Sequence, residues 1–323
     1  MMSQNGALSE KETWTWLVEN FQIPVPLGDC SVHVLINKGK VTSAFLMDGG
    51  ENADTISASD TITKSLEVID KELGLFLDNK PLKLNAWVVT HWDADHYKGV
   101  FELLEGRFSN NKLMKGNSSS FLNRLDTAHT DLYFGHERTI DQKKIIEKHF
   151  DLKRCLVGKD IIGLDLFSGD RLFDAEGDNL KLSPFDEARP RFCVYAASGV
   201  GMNCTQGIFR QGNKEPDKNE SSILAILSWP ETGRCSYFAG GDGNAELAAG
   251  GILSFIRDQC DIAKLPEGHG FDVMKMDHHG SSAETFFKKG VIARLSLEKL
   301  PITQFRPRNI IVTPGSRHGH PSK

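Results

Sequence analysis

Along most of the chain, apolar residues come in short alternating or continuous blocks. Each block ends in a turn of Gly, Asp, Asn or His. Val32 to Ile36, a turn at 37–40 and then Val41 to Met47 predict a β-hairpin closed by Asp48-Gly49-Gly50. His33 lies inside its first strand and reads as a packed residue. Ile62, Leu66, Ile69 and Leu73 recur at helical spacing and predict a helix over 59–76, with Asp60 near its start and Gly74 near its end. Further strands are expected at 84–89, 192–196, 223–227, 236–239, 271–276 and 309–313. Helical patterns are expected at 11–20 (behind Ser9 and Glu12 in a capping-box spacing), 97–104, 121–128, 141–150 and 245–258. Strands alternating with helices predict layered α/β structure. Residues 151–185 read as short strands or an insertion, and 199–217 as a polar loop.

The chemistry sits where strands end. Val88-Val89-Thr90 leads into His91, Asp93, Asp95 and His96, so two imidazoles and two carboxylates fall within six positions. Side chains packed this closely would repel or stay solvated without a cation between them. Their place on a turn between strand and helix offers rigid support. Three later strands end in similar groups: Gly240-Gly241-Asp242-Gly243, then Asp277-His278-His279-Gly280-Ser281, then Gly319-His320-Pro321. Asn219 and Ser221 precede the strand at 223–227. A polar loop capped by Asp95 is the alternative for the first group alone. Four such strand ends in one chain argue against it.

Bulk properties narrow the classes further. With 323 residues the chain can bury a substantial core as one domain, with helical additions at about 1–20 and 105–150. A net charge of −5 provides no global field for a long nucleic acid, so nucleic-acid binding gets no support from charge. The six cysteines are scattered without a C-x-x-C pair and read as reduced thiols. Residues 1–10 are polar with no apolar signal core, and no run approaches the roughly 20 apolar residues of a membrane span. A soluble, cytoplasmic protein without a membrane partner is expected.

The motif H-x-D-x-D-H at 91–96 resembles the H-x-H-x-D-H signature of the metallo-β-lactamase superfamily, with Asp93 in place of the middle His. The order of N-x-S, G-G-D, D-H-H-G-S and G-H-P resembles its branch containing the soluble hydrolase domain of ComEC-type proteins. That resemblance implies a four-layer αββα sandwich and two divalent metal ions, zinc or manganese. The oxygen ligand Asp93 moves preference toward manganese, iron or magnesium. It also implies His91 and Asp93 on one ion, Asp95, His96 and His278 on the other, and Asp242 bridging them. Catalytic roles would fall to Asp95, His279 and His320, with the two histidines at the cleft edge beside the leaving group. Asp48, Asn219, Ser221 and Ser281 would orient ligands. His129, His136 and His149 are candidates for a third ligand of the first site. The implied activity is metal-dependent hydrolysis by a metal-bound hydroxide, on a phosphodiester as in a nuclease or phosphodiesterase. A carbonyl ester such as a lactone or thioester is the alternative substrate, and a metal-stabilised binding protein the non-enzymatic alternative.

Overall fold

The computed structural model describes residues 16–53, 55–74, 82–105, 107–109, 112–114, 124–137, 140–172, 189–201, 218–229, 232, 234–243, 271–280, 305–313 and 315. Two six-stranded sheets organise them. The first runs in the order β1 (Trp16–Gln22), β2 (Cys30–Asn37), β3 (Lys40–Asp48), β4 (Ala86–Val89), β7 (Asp131–Phe134), β8 (Cys155–Val157). The second runs β10 (Val200–Gly201), β9 (Arg191–Ala197), β11 (Leu224–Trp229), β12 (Arg234–Ala239), β13 (Val273–Lys275), β14 (Asn309–Ile311). A separate hairpin pairs β5 (Arg107–Ser109) with β6 (Lys112–Met114).

Period-two alternation assigns each strand residue to a layer. Val32, Val34, Ala44, Leu46, Trp87 and Phe134 face outward onto the helices α1 (Ala58–Gly74), α2 (Ala94–Glu105) and α3 (Ile140–His149). Helix α1 meets them with Ile62, Leu66, Ile69 and Leu73, each worth roughly 1.5–3 kcal/mol on burial. Its start is capped by Ser57, whose Oγ accepts from the Asp60 amide. The intervening residues Leu35, Phe45, Met47 and Val88 pack instead against Phe192, Val194, Ala225, Leu227 and Tyr237 of the second sheet. On that sheet's far side Phe238, Phe271 and Phe305 are buried together. The architecture is the αββα sandwich expected from the sequence; the helix expected at 245–258 lies outside the described residues.

Three expectations are corrected. The helical addition at 1–20 gives way to β1 over its described part, since Trp16–Gln22 pairs antiparallel with residues 31–37 of β2. Trp16 and Val18 pack toward the inter-sheet core while Leu17 is exposed, so sheet pairing overrode the helical spacing. The addition at 105–150 is only partly helical: α3 forms, but Asp131–Phe134 enters the main sheet parallel to β4 and 124–130 are turns. Cys235 is disulfide-bonded, contrary to the reading of all six cysteines as thiols, whereas Cys30, Cys155 and Cys193 form no disulfide. Among the described residues no helix is long and apolar enough to cross a membrane.

His33 belongs to the inter-sheet core, as its strand position implied. It is fully buried, stacked on Phe45 at 4.8 Å, with Nδ1 2.7 Å from Asn20 Oδ1 and Nε2 2.9 Å from Ser31 Oγ. The carboxamide oxygen can only accept, so Nδ1 carries the hydrogen and the neutral ring satisfies both partners. Burial lowers its pKa from 6.5 to about 3. The unfolded chain therefore takes up a proton that the folded one refuses, and stability falls as pH drops from 6.5 toward 3. Urea unfolding across this window should show His33→Leu with a pH slope shallower than wild type by up to about 1.4 kcal/mol per unit. Parallel slopes would contradict the assignment.

Candidate metal centre

Parallel pairing brings distant strand ends to one edge. Strands β3 and β4 run parallel in the first sheet; β12, β13 and β14 run parallel in the second. Their C-terminal ends deliver Asp48, Thr90-His91, Asp242, His278-His279 and Thr313 to a common crevice, the usual place for function in such sheets. The two sheets are tied at this rim by the Ile223 amide donating to the Thr90 carbonyl at 3.1 Å. Helix α2 begins at Ala94, earlier than its apolar spacing indicated, so Asp95 and His96 occupy its first turn.

Asp242 is 2% exposed and its two oxygens face different neighbours. Oδ2 lies 3.6 Å from His91 Nε2 and 3.7 Å from His278 Nε2. Oδ1 lies 3.2 Å from His96 Nε2 and 3.5 Å from His279 Nε2. Asp93 Oδ2 joins the first side, 3.7 Å from His91 Nε2; Asp95 Oδ2 joins the second, 3.4 Å from His279 Nε2. Every one of the six side chains expected to bind metal is thus gathered here. His279 is gathered as well: its ring is 1% exposed within the group, not at a cleft edge. His320 and Ser281 lie outside the described residues. His129 and His149 are engaged elsewhere, with Asp126 and Glu105.

Hydrogen bonds on the far side of each ring decide which nitrogen faces inward. Asp48 accepts from the Thr90 hydroxyl at 2.8 Å and from His96 Nδ1 at 2.9 Å. With its single proton committed to Asp48, Thr90 Oγ1 can only accept from His91 Nδ1, 3.3 Å away. Likewise Thr313 donates to Asp29, so it accepts from His279 Nδ1 at 2.9 Å. All three Nδ1 atoms are therefore donors, and Nε2 of His91, His96 and His279, together with Asp242 Oδ1, are buried without hydrogen-bond partners. Four unsatisfied atoms converging in one place are costly unless something binds them. The donor set of imidazole and carboxylate, each ring backed by a hydroxyl or carboxylate, fits a divalent cation.

Electrostatics agree. Burial disfavours the charge of Asp242, but His96, His91 and His279 hold its pKa well below the ordinary carboxylate range. Burial also opposes the charge of Asp95, yet His279 and His96 hold it at about 2. His96 is driven well above its usual value, because Asp242 and Asp48 outweigh its burial. Carboxylates this crowded demand a positive charge at Nε2, and a metal ion competes with the proton for that place. Asp93, the most exposed of the carboxylates with a side chain 35% accessible, is held low first by His91, against burial, and also by Lys218, whose Nζ is 2.7 Å away. Asn219 Nδ2 is 3.3 Å from His278 Nδ1.

Sequence reasoning missed Asp29, Lys218, Lys275 and Thr313. Asp29 arrives by a tight approach: Gly28 has φ +84°, and its neighbour's amide donates to the Asp95 carbonyl at 3.1 Å. His278 and His279, at φ 43° and 52°, also sit in left-handed backbone, a strain often found at functional sites.

An αββα sandwich with a buried His/Asp group at the ends of its parallel strands defines a class of protein able to hold divalent cations between its sheets. No protein-family model and no curated protein matches the chain. Among solved structures it is similar to the crystal structure of human tRNase Z, short form (ELAC1), at 14% identity and a TM-score of 0.40, with 93% of each chain covered.

A Cβ at Gly28 would lie 1.7 Å from the Asp95 carbonyl oxygen, whereas at Gly39, also at positive φ, it would meet nothing within 4 Å. Gly28→Ala should therefore cost about 3 kcal/mol or more in urea unfolding and weaken metal binding. Gly39→Ala should cost only the backbone term of about 1 kcal/mol. Equal costs would show that the approach of Gly28 to α2 is not required.

Proposed function

We propose that the chain is a dinuclear metal-dependent hydrolase of the metallo-β-lactamase superfamily, acting on a phosphodiester. The observation that carries this reading is the division of partners across Asp242: His91 and His278 on one oxygen, His96 and His279 on the other. His91, Asp93 and His278 would hold one ion, and Asp95, His96 and His279 the second, with Asp242 shared. This exchanges His278 for His279 at the second ion, relative to the division implied by the sequence resemblance. When bound, such a pair supplies charge that acidifies water and stabilises both oxygens of an in-line displacement.

The protein's own groups provide the setting. Asp48, Thr90 and Thr313 fix the imidazole tautomers, so no reorganisation is needed when ligands and substrate assemble. His279 is a poor candidate for protonating a leaving group, because Nδ1 donates to Thr313 and Nε2 would be taken by the second ion. His320 keeps that proposed role. Lys218, with a side chain 65% exposed beside Asp93, is placed to attract and orient an anionic substrate. A small carbonyl ester is the second reading, favoured by the net charge of −5 and the absence of basic runs.

Metal analysis and a panel of bis-p-nitrophenyl phosphate, a lactone and a thioester test these readings. Wild type should carry about two ions per chain and cleave the phosphodiester, and Asp242→Ala should lose metal together with about 100-fold or more in turnover. Carbonyl turnover alone would move the substrate to the second reading. Bound metal without any turnover would leave a metal-stabilised binding protein.

A further inference from the structure

Asp29 is the carboxylate that the metal-centre reading does not use, although its position would allow it to. Its carboxylate joins two groupings whose candidate ligand atoms all lie within 4.8 Å of one another, one with Asp242 and His279 and one with Asp48 and His96. A carboxylate so placed would ordinarily be drawn onto a bound cation. Two contacts hold it back. Lys275, 5% exposed at the end of β13, forms an ion pair with its Oδ2, and Thr313 donates to its Oδ1. The same ammonium donates to the Gly241 carbonyl at 3.0 Å, next to Asp242, and that carbonyl also accepts the His278 amide at 3.2 Å. Lys275 thus touches the turns that carry Asp29, Asp242 and His278.

We propose that Lys275 is a positioning residue that keeps Asp29 out of the metal coordination sphere and, through the Asp29–Thr313–His279 chain, reserves His279 Nε2 for the cation. The inference rests on the metal-centre reading. An isolated buried carboxylate is far less tolerable than a paired one, so removing the ammonium alone leaves Asp29 needing another cation. A metal ion at the second half of the centre is the nearest one. Removing both charges returns Asp29's site to neutrality, while an amide oxygen at position 29 still accepts from Thr313.

The test is a cycle of Lys275→Met and the Asp29→Asn/Lys275→Met double variant on the full chain. It is read by thermal unfolding of metal-free protein and by visible absorption during cobalt(II) titration. Lys275→Met should lower the metal-free Tm by about 10 °C. It should also tighten cobalt(II) binding about tenfold or more. The d–d band should shift as Asp29 joins the ligands. The double variant should recover the wild-type band and most of the lost Tm, which a purely packing role for Lys275 would not predict. An unshifted band in Lys275→Met, or a shifted band in the double variant, overturns the proposal. If Lys275→Met does not fold, the double variant decides: a wild-type band upholds the proposal and an altered one rejects it. A wild type that binds no cobalt(II) removes the metal centre itself and this inference with it, an outcome distinct from normal binding with a failed cycle.

Discussion

The constraint on which this structure turns is the confinement of negative charge. Asp29, Asp48, Asp95 and Asp242 are each at most 6% exposed and all lie against His96 or His279. Carboxylates removed from water stay ionised only where positive charge or donors reach them. The chain supplies some of this compensation permanently, through Lys275 and the threonine hydroxyls, and leaves the remainder to whatever binds the inward Nε2 atoms. A site built this way selects cations by its deficit of charge and fixes them by its imidazoles.

The same demand accounts for several otherwise unfavourable local choices. Asp48 takes φ 61° and the His278-His279 pair takes two successive left-handed residues, conformations that cost energy without side-chain freedom to match. Each places a polar group at the end of a parallel strand where regular backbone would carry it past the crevice. The β-sandwich behind them is continuous apolar packing, and it holds these residues in place. Core and centre are therefore not separate achievements: the parallel pairs that bury Phe45 and Val88 are the ones that bring Asp48 and His91 together.

How much of this was legible beforehand follows from what sequence patterns encode. Strand ends that combine His with Asp, or carry two successive His, stood out because turns use Asp freely but seldom need clustered imidazoles, so His91–His96 and His278 could be gathered before any coordinates, and Asp242 with them by its place in the motif order. Asp29 could not, since a Gly-Asp turn is common and its partner Thr313 lies 284 residues away. Lys275 on an alternating strand reads as a solvated side chain; its pairing with Asp29 and its bond to the Gly241 carbonyl explain its burial. The inward placement of both His278 and His279 depends on backbone dihedrals that the letters H-H do not specify. At the N-terminal side, helical spacing of Trp14, Leu17 and Val18 competed with the alternation of Trp16 and Val18, and pairing with β2 settled it. Cys235 shows the same limit, because bonding of scattered cysteines depends on spatial neighbours.

The charge ledger of the centre bears on substrate as well as on metal. Among the described side chains, five carboxylates (Asp29, Asp48, Asp93, Asp95, Asp242) face two ammonium groups (Lys218, Lys275), so with neutral imidazoles the balance is −3. One divalent ion would leave the crevice anionic and repel a phosphodiester. Two would reverse the sign to +1, the charge that a phosphodiester monoanion cancels on binding. A neutral lactone or thioester would leave that excess in place until charge developed in its transition state. Against the bulk charge of −5, which favours the carbonyl ester, stands this local balance, because at the distances that matter for binding the nearby groups outweigh a screened surface.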